Sequence, residues 1–179
     1  MLLSNAKKYE ASGKMMWLWA QSKLHRSWTT ELQAHFILPA VELGQFHIIE
    51  AKGIPVAYCS WAHMDLEAEA RYVVKPTNLR LADWISGDRI WFVDWISPFE
   101  KKYTWALQRR MKKMFPKDVA RAFRVKQNKS KARIAVFSGK SLDRDESRKK
   151  RAQYFMELRN KLKENSGEEF AIRDHLSHD

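Results

Sequence analysis

Residues 89–96, RIWFVDWI, set one carboxylate, Asp94, inside a run of aromatic and β-branched residues that Pro98 closes. Such a run reads as a strand that the fold must bury. Side chains alternate along a strand, so Ile90, Phe92, Asp94 and Ile96 are expected on one face and Trp91, Val93 and Trp95 on the other. An ionised carboxylate there is costly unless a cation or a hydrogen-bond donor meets it. Asp94 is therefore either half of a structural salt bridge with an arginine or the group that orients and charge-stabilises a catalytic base.

The flanking segments define the fold class. Residues 15–26 carry Met15, Leu18, Trp19, Ser22, His25 and Arg26 at helical spacing. A second helix is expected over about 29–43, kinked or shortened by Pro39. FHIIE (46–50) and PVAYCSWA (55–62), joined through Gly53, predict a hairpin. Residues 69–85 are ambiguous, and Gly87-Asp88 marks a turn. Tyr103, Leu107, Met111 and Phe115 predict a helix over about 101–115. VARAFRV (119–125) and ARIAVFS (132–138) predict two strands around the polar turn QNKSK. From Asp145 to about Glu164, Ala152, Phe155, Leu158 and Leu162 mark an amphipathic helix with a basic outer face. Helices interleaved with strands, by hairpin and by crossover, predict an α/β or α+β fold on one mixed sheet. A single domain is expected over 1–166, with 167–179 a loose tail.

A chain of 179 residues suits one core, and eight tryptophans among 45% hydrophobic residues exclude a disordered one. No apolar run approaches the roughly 18 residues of a membrane span, and the start, MLLSNAKKYE, has no secretory core. The lone Cys59 permits no internal disulfide and no cysteine zinc site. A cytoplasmic protein is expected. Charge is segregated: residues 101–163 hold 22 Lys and Arg against 5 Asp and Glu, and the remainder 11 against 16. An acidic partner follows, either nucleic acid, an anionic surface or an acidic protein. A non-enzymatic basic module is thus one reading, although no nucleic-acid-binding motif supports it.

His25 is the natural partner for Asp94. It is expected on the helix face of Ser22 and Leu18, near a C-terminus whose dipole favours imidazolium. Ser22, three residues earlier, is a candidate hydrogen-bond partner. His35, His47 and His63 have weaker claims, and His175 and His178 sit in the tail. Cys59 reads as buried packing, and Trp17 and Trp19 as core or the lining of an acyl pocket. The six glycines, at 13, 44, 53, 87, 139 and 167, are too scattered for a phosphate-cradling loop. No metal-ligand cluster is apparent, so no bound metal or cofactor is expected.

WLWAQSKLHRSW, LPAVELGQF, PVAYCSWA, SGDRIWFVDWISPF and RAFRV, in this order from about Trp17 to Phe137, closely resemble the RTX toxin-activating lysine acyltransferases. That resemblance implies a variant of the GCN5-related acetyltransferase fold, with a largely antiparallel mixed sheet, and a homodimer. It implies transfer of a fatty acyl chain from acyl-acyl carrier protein to internal lysines of an RTX protoxin. The family's catalytic histidine falls on His25, within Ser22-Lys23-Leu24-His25-Arg26, and its aspartate on Asp94, within Phe92-Val93-Asp94-Trp95-Ile96. An asparagine common two residues before Leu-Pro-Ala is Phe36 here, so no positioning role carries over to it.

A donor whose phosphopantetheine hangs from a carrier protein lacks the coenzyme A pyrophosphate. The missing glycine cradle fits such a donor, and the basic region fits the carrier's acidic helices. Arg121 and Arg124, three apart in a strand and so on opposite sides, are the donor-binding candidates. At most one of them is expected to meet the donor directly, with the other free to pair with a carboxylate.

Overall fold

The computed structural model describes residues 3–125 and 133–166. The QNKSK turn and the 167–179 tail lie outside the described residues. Five strands hydrogen-bond in chain order: β1 (Phe46–Ala51), β2 (Ile54–Met64), β3 (Arg89–Ile96), β4 (Val119–Arg124) and β5 (Arg133–Ser138). Only β3 and β4 are parallel, joined by the crossover helix α4 (Lys101–Met114). The fold is a mixed, largely antiparallel sheet flanked by helices, as the sequence predicts.

α1 (Asn5–Gln21) starts ten residues before the predicted helix and stops five residues before its predicted end. Its first turns bury only Ala11, so no apolar stripe announces them. Ser4 caps the start, its side chain accepting from Lys7 N–H. At the other end Ser22 is extended, and its N–H closes onto the Leu18 and Trp19 carbonyls. His25 is therefore not on a helix face; it lies in the turn between α1 and α2 (Thr30–Leu43). Pro39 sits inside α2 without ending it, and Gly44, at φ 67°, terminates the helix. Lys52 and Gly53, at φ 52° and 78°, make the tight β1–β2 turn. The ambiguous segment holds α3 (Leu66–Val74) and two short 3₁₀ turns.

One irregularity decides the faces of β3. Ser60 pairs with Asp94, but Trp61 pairs with Phe92, which leaves Val93 as an extra residue, a β-bulge. Side-chain alternation shifts by one there. Ile90, Phe92 and Trp95 face α4, with Leu107 and Met111. Asp94 and Ile96 face the other way, toward α1 and α2, where Ile96 packs with Trp19, Phe36 and Tyr58. The expected grouping of Asp94 with Ile90 and Phe92 is thus corrected by the bulge.

α3 and α5 (Arg144–Ser166) cover the remainder of that second face, α5 through Tyr154, Leu158 and Leu162 rather than Ala152. A buried ionic cluster fastens them. Glu69 of α3, fully enclosed, accepts from Arg89 Nε, from Trp91 Nε1 at 2.7 Å, and pairs with Arg121. Arg89 continues to Glu157 at 2.6 Å and the Tyr154 carbonyl at 3.0 Å. Glu69→Ala leaves the buried Arg121 guanidinium without its carboxylate and Arg89 with Glu157 alone, and is expected to cost about 3–5 kcal/mol. Urea unfolding measures this, and a midpoint like the parent's would show the cluster to be inert.

Candidate functional site

Asp94 enters the site from β3 immediately after the bulge, and Ser60 Oγ accepts its backbone N–H at 3.2 Å. Its carboxylate is not met by an arginine. Oδ2 accepts from the Tyr58 hydroxyl at 2.5 Å and from Trp19 Nε1 at 3.2 Å, and Trp19 Nε1 also donates to the Tyr58 oxygen. The salt-bridge reading gives way to a phenol and an indole. Trp19 is wholly buried against this carboxylate. Trp17, by contrast, is 42% exposed, with its ring beside Phe99.

The turn after α1 delivers His25 to the same spot. Its Nε2 lies 3.9 Å from Asp94 Oδ1, and its Nδ1 lies 2.7 Å from Ser22 Oγ. The structure thus brings together all three residues singled out as catalytic or supporting. Trp19 and Trp28 enclose the imidazole, with ring centres 4.9 and 4.8 Å away. Phe36, in the position where the family commonly has asparagine, packs against both tryptophans and offers no polar contact.

Burial governs the electrostatics. It lowers the imidazole to about 4, against the helix-dipole expectation, because His25 is beyond the helix and shut in by rings. Burial also raises the Asp94 carboxyl to about 6, opposed by the hydrogen bonds from Tyr58 and Trp19. At neutral pH a neutral imidazole therefore faces a carboxylate. Such a pair can accept a proton onto the ring and stabilise the charge that results.

Arg121 and Arg124 are separated as their spacing predicts. Arg121 is 1% exposed, paired with Glu69 and stacked over Tyr154 at 4.4 Å, while Arg124 is exposed. Burial lowers Arg121 to about 10, and it is the arginine of the two that pairs with a carboxylate. Cys59 is buried on the α4 face, and burial pushes its thiol up. Tyr58 was missed by sequence reasoning: its position in PVAYCSWA looks merely apolar, and only its facing of Asp94 across the sheet gives it a role. A groove of about 700 Å³ opens beside α2, lined by His35, Leu38, Arg71 and Leu81 among others. Neither His25 nor Asp94 lines it. Among the described residues no cluster of acidic, histidine or cysteine side chains forms a metal site, and no helix is long and apolar enough to cross a membrane.

Comparison with known proteins places the chain in a family. Residues 4–138 match the model of the RTX toxin acyltransferase family. A leukotoxin-activating lysine-acyltransferase of Aggregatibacter actinomycetemcomitans is 42% identical over 158 residues, covering 88% of this chain and 93% of that protein. A protein-lysine myristoyltransferase of Escherichia coli is 40% identical, covering 93% and 96%. A protein-lysine palmitoyltransferase of Bordetella bronchiseptica is 37% identical, covering 93% and 90%. A buried imidazole beside a carboxylate, on a chain matched along almost its whole length by lysine acyltransferases, identifies an acyltransferase that belongs to the RTX toxin acyltransferase family.

Proposed function

We propose that this enzyme activates an RTX protoxin by moving a fatty acyl chain from acyl-acyl carrier protein to the ε-amino group of internal lysines. The observation that carries the reading is the buried His25 held 3.9 Å from Asp94 in an aromatic enclosure. A lysine, with a solution pKa of about 10.4, is mostly protonated and non-nucleophilic at neutral pH. It first releases one proton to solvent. Its nitrogen then attacks the thioester carbonyl, the N–C bond forms, and the amine becomes acidic enough to pass a proton to His25. Asp94 stabilises the imidazolium. The C–S bond breaks, and the same proton leaves on the phosphopantetheine sulfur.

The basic region suits the acidic surface of the carrier protein, with the exposed Arg124 as the donor-facing arginine. Reaction in the cytoplasm, where the carrier resides, by a homodimer completes the proposal. The reading needs no metal and no bound cofactor.

Co-expression with a protoxin tests it: mass spectrometry should find lysines carrying a fatty acyl group, and unmodified lysines would refute the reading. The acid side of the kcat/KM profile should follow Asp94. kcat/KM is expected to rise with pH as more of the lysine becomes neutral, and to fall more steeply as pH drops through about 6, where the carboxylate takes a proton.

A further inference from the structure

The two oxygens of Asp94 have different surroundings. Oδ2 is engaged by Tyr58 and Trp19. Oδ1 faces His25 Nε2 at 3.9 Å, beyond hydrogen-bond reach. The other ring nitrogen, Nδ1, is 2.7 Å from Ser22 Oγ. In the tautomer that a base acting through Nε2 requires, Nδ1–H donates to Ser22, Nε2 carries a lone pair, and two acceptors confront each other across the gap. A group that joins two acceptors must have two hydrogens to give. A nitrogen about 2.8 Å from each atom would span the 3.9 Å separation, with its two bonds diverging by roughly 90°. A neutral primary amine has two such N–H bonds and one lone pair. Both N–H bonds are then held and the lone pair is left for attack, an arrangement that a serine or threonine hydroxyl cannot reproduce.

We propose that the acceptor lysine's amine docks between Asp94 Oδ1 and His25 Nε2, and that Tyr58 is the positioning residue that reserves Oδ1 for it. This deepens the lysine-acylation reading and rests on it. Tyr58 ties down Oδ2, so the carboxylate cannot rotate to spend both oxygens on the protein. Its donated bond also favours the ionised form. Trp19 holds the phenol in place. In the transfer step the N–H bond directed at Nε2 breaks as the N–C bond forms, and the N–H bond directed at Oδ1 stays intact in the amide product.

The test uses n-butylamine, a lysine side chain without its backbone, titrated into the isotope-labelled full chain at pH 8 and at pH 10, between which its neutral fraction rises by well over ~10-fold. The ring proton of His25 and the indole N–H of Trp19 are followed by NMR, with n-butanol as the uncharged control. The titratable groups near Asp94 are His25 from the turn, Tyr58 and Cys59 from β2, and Tyr72 from α3. Burial keeps each of them uncharged at both pH values, so a change in affinity follows the probe's own ionisation. Saturable shifts are expected with n-butylamine, tighter at pH 10 where more of it is neutral, and not with n-butanol. Asp94→Asn should weaken binding by ~10-fold or more.

Tyr58→Phe should weaken binding several-fold and move the acid limb of kcat/KM to higher pH, with the Trp19 signal reporting an intact fold. Equal binding by Asp94→Asn, or equal shifts from n-butanol, overturns the amine seat. Parent-like affinity and an unmoved acid limb in Tyr58→Phe remove Tyr58 from the proposal. The binding measurements use neither donor nor protoxin, so failure of lysine acylation on co-expression would be seen separately.

Discussion

Asp94→Asn should lower kcat by roughly 10²–10⁴, the range seen when a carboxylate that supports a catalytic histidine is neutralised, and it should make the protein more stable. Its folded-state carboxyl is raised to about 6 from the usual 3.8. A raised value means that ionised Asp94 opposes folding, an effect fully present above pH 6. At about 1.4 kcal/mol per unit, this is worth on the order of 3 kcal/mol at pH 8. Asparagine keeps an oxygen for Tyr58 and Trp19 and removes the buried charge. For a chain of this size the thermal midpoint should rise by roughly 6–12 °C. The gain should shrink as pH falls from 6 to 4, where the parent's own carboxyl is protonated and released from the cost. Calorimetry at pH 8 and pH 4, paired with an acylation assay, checks both parts. A midpoint that falls while turnover persists would make Asp94 a purely structural residue.

His25→Ala is the second large effect. Removal of the base should cost roughly 10²–10⁴ in kcat/KM with the circular dichroism spectrum unchanged. Near-normal turnover would take His25 out of the chemistry. The variant also separates direct transfer from a covalent route. Rapid mixing of the parent with acyl-carrier protein alone should show no acyl group on His25, and a trapped acyl-imidazole would replace direct transfer with two steps. Stability carries the opposite sign from Asp94. The imidazole is lowered to about 4 from 6.5, so its contribution is present above pH 6.5 and is lost as pH falls toward 4. Between pH 6 and 4 the two groups oppose each other, and Asp94→Asn should expose the acid sensitivity that His25 confers.

Much of this was legible in the chain because the strands and α4 bury regular stripes. The hairpin, β3, and the Leu107 and Met111 face of α4 follow from spacing alone. The pairing of Asp94 with His25 was legible for a different reason: a carboxylate in an apolar strand has to be met by something. What meets it most closely was hidden. Tyr58 and Trp19 occupy positions that a hydropathy pattern reads as core, and their polar edges matter only once the sheet and α1 are docked.

Glu69 escaped notice on a short helix whose segment was ambiguous, although its place between Ala68 and Ala70 was the available signal. The start of α1 was invisible because Ser4 and the caps define it, not an apolar stripe. The position of His25 beyond the helix also reversed its expected charge state. A dipole argument applies to a terminus in water, and here aromatic walls outweigh it.

The extra residue at Val93 acts as a change of parity. Before it, odd-numbered side chains of β3 look toward α3; after it, the even-numbered Asp94 and Ile96 take that side. The bulge between Trp91 and Asp94 therefore decides which side the carboxylate takes. Regular pairing with all residues kept would turn the carboxylate into the α4 core, among Leu107 and Met111, out of reach of His25. Loss of Val93 would instead leave Ser60 opposite Asp94 and Trp61 opposite Phe92, and keep the carboxylate on its side. Val93 itself packs against both clusters of that second face, so a deletion there should cost packing rather than the placement of Asp94.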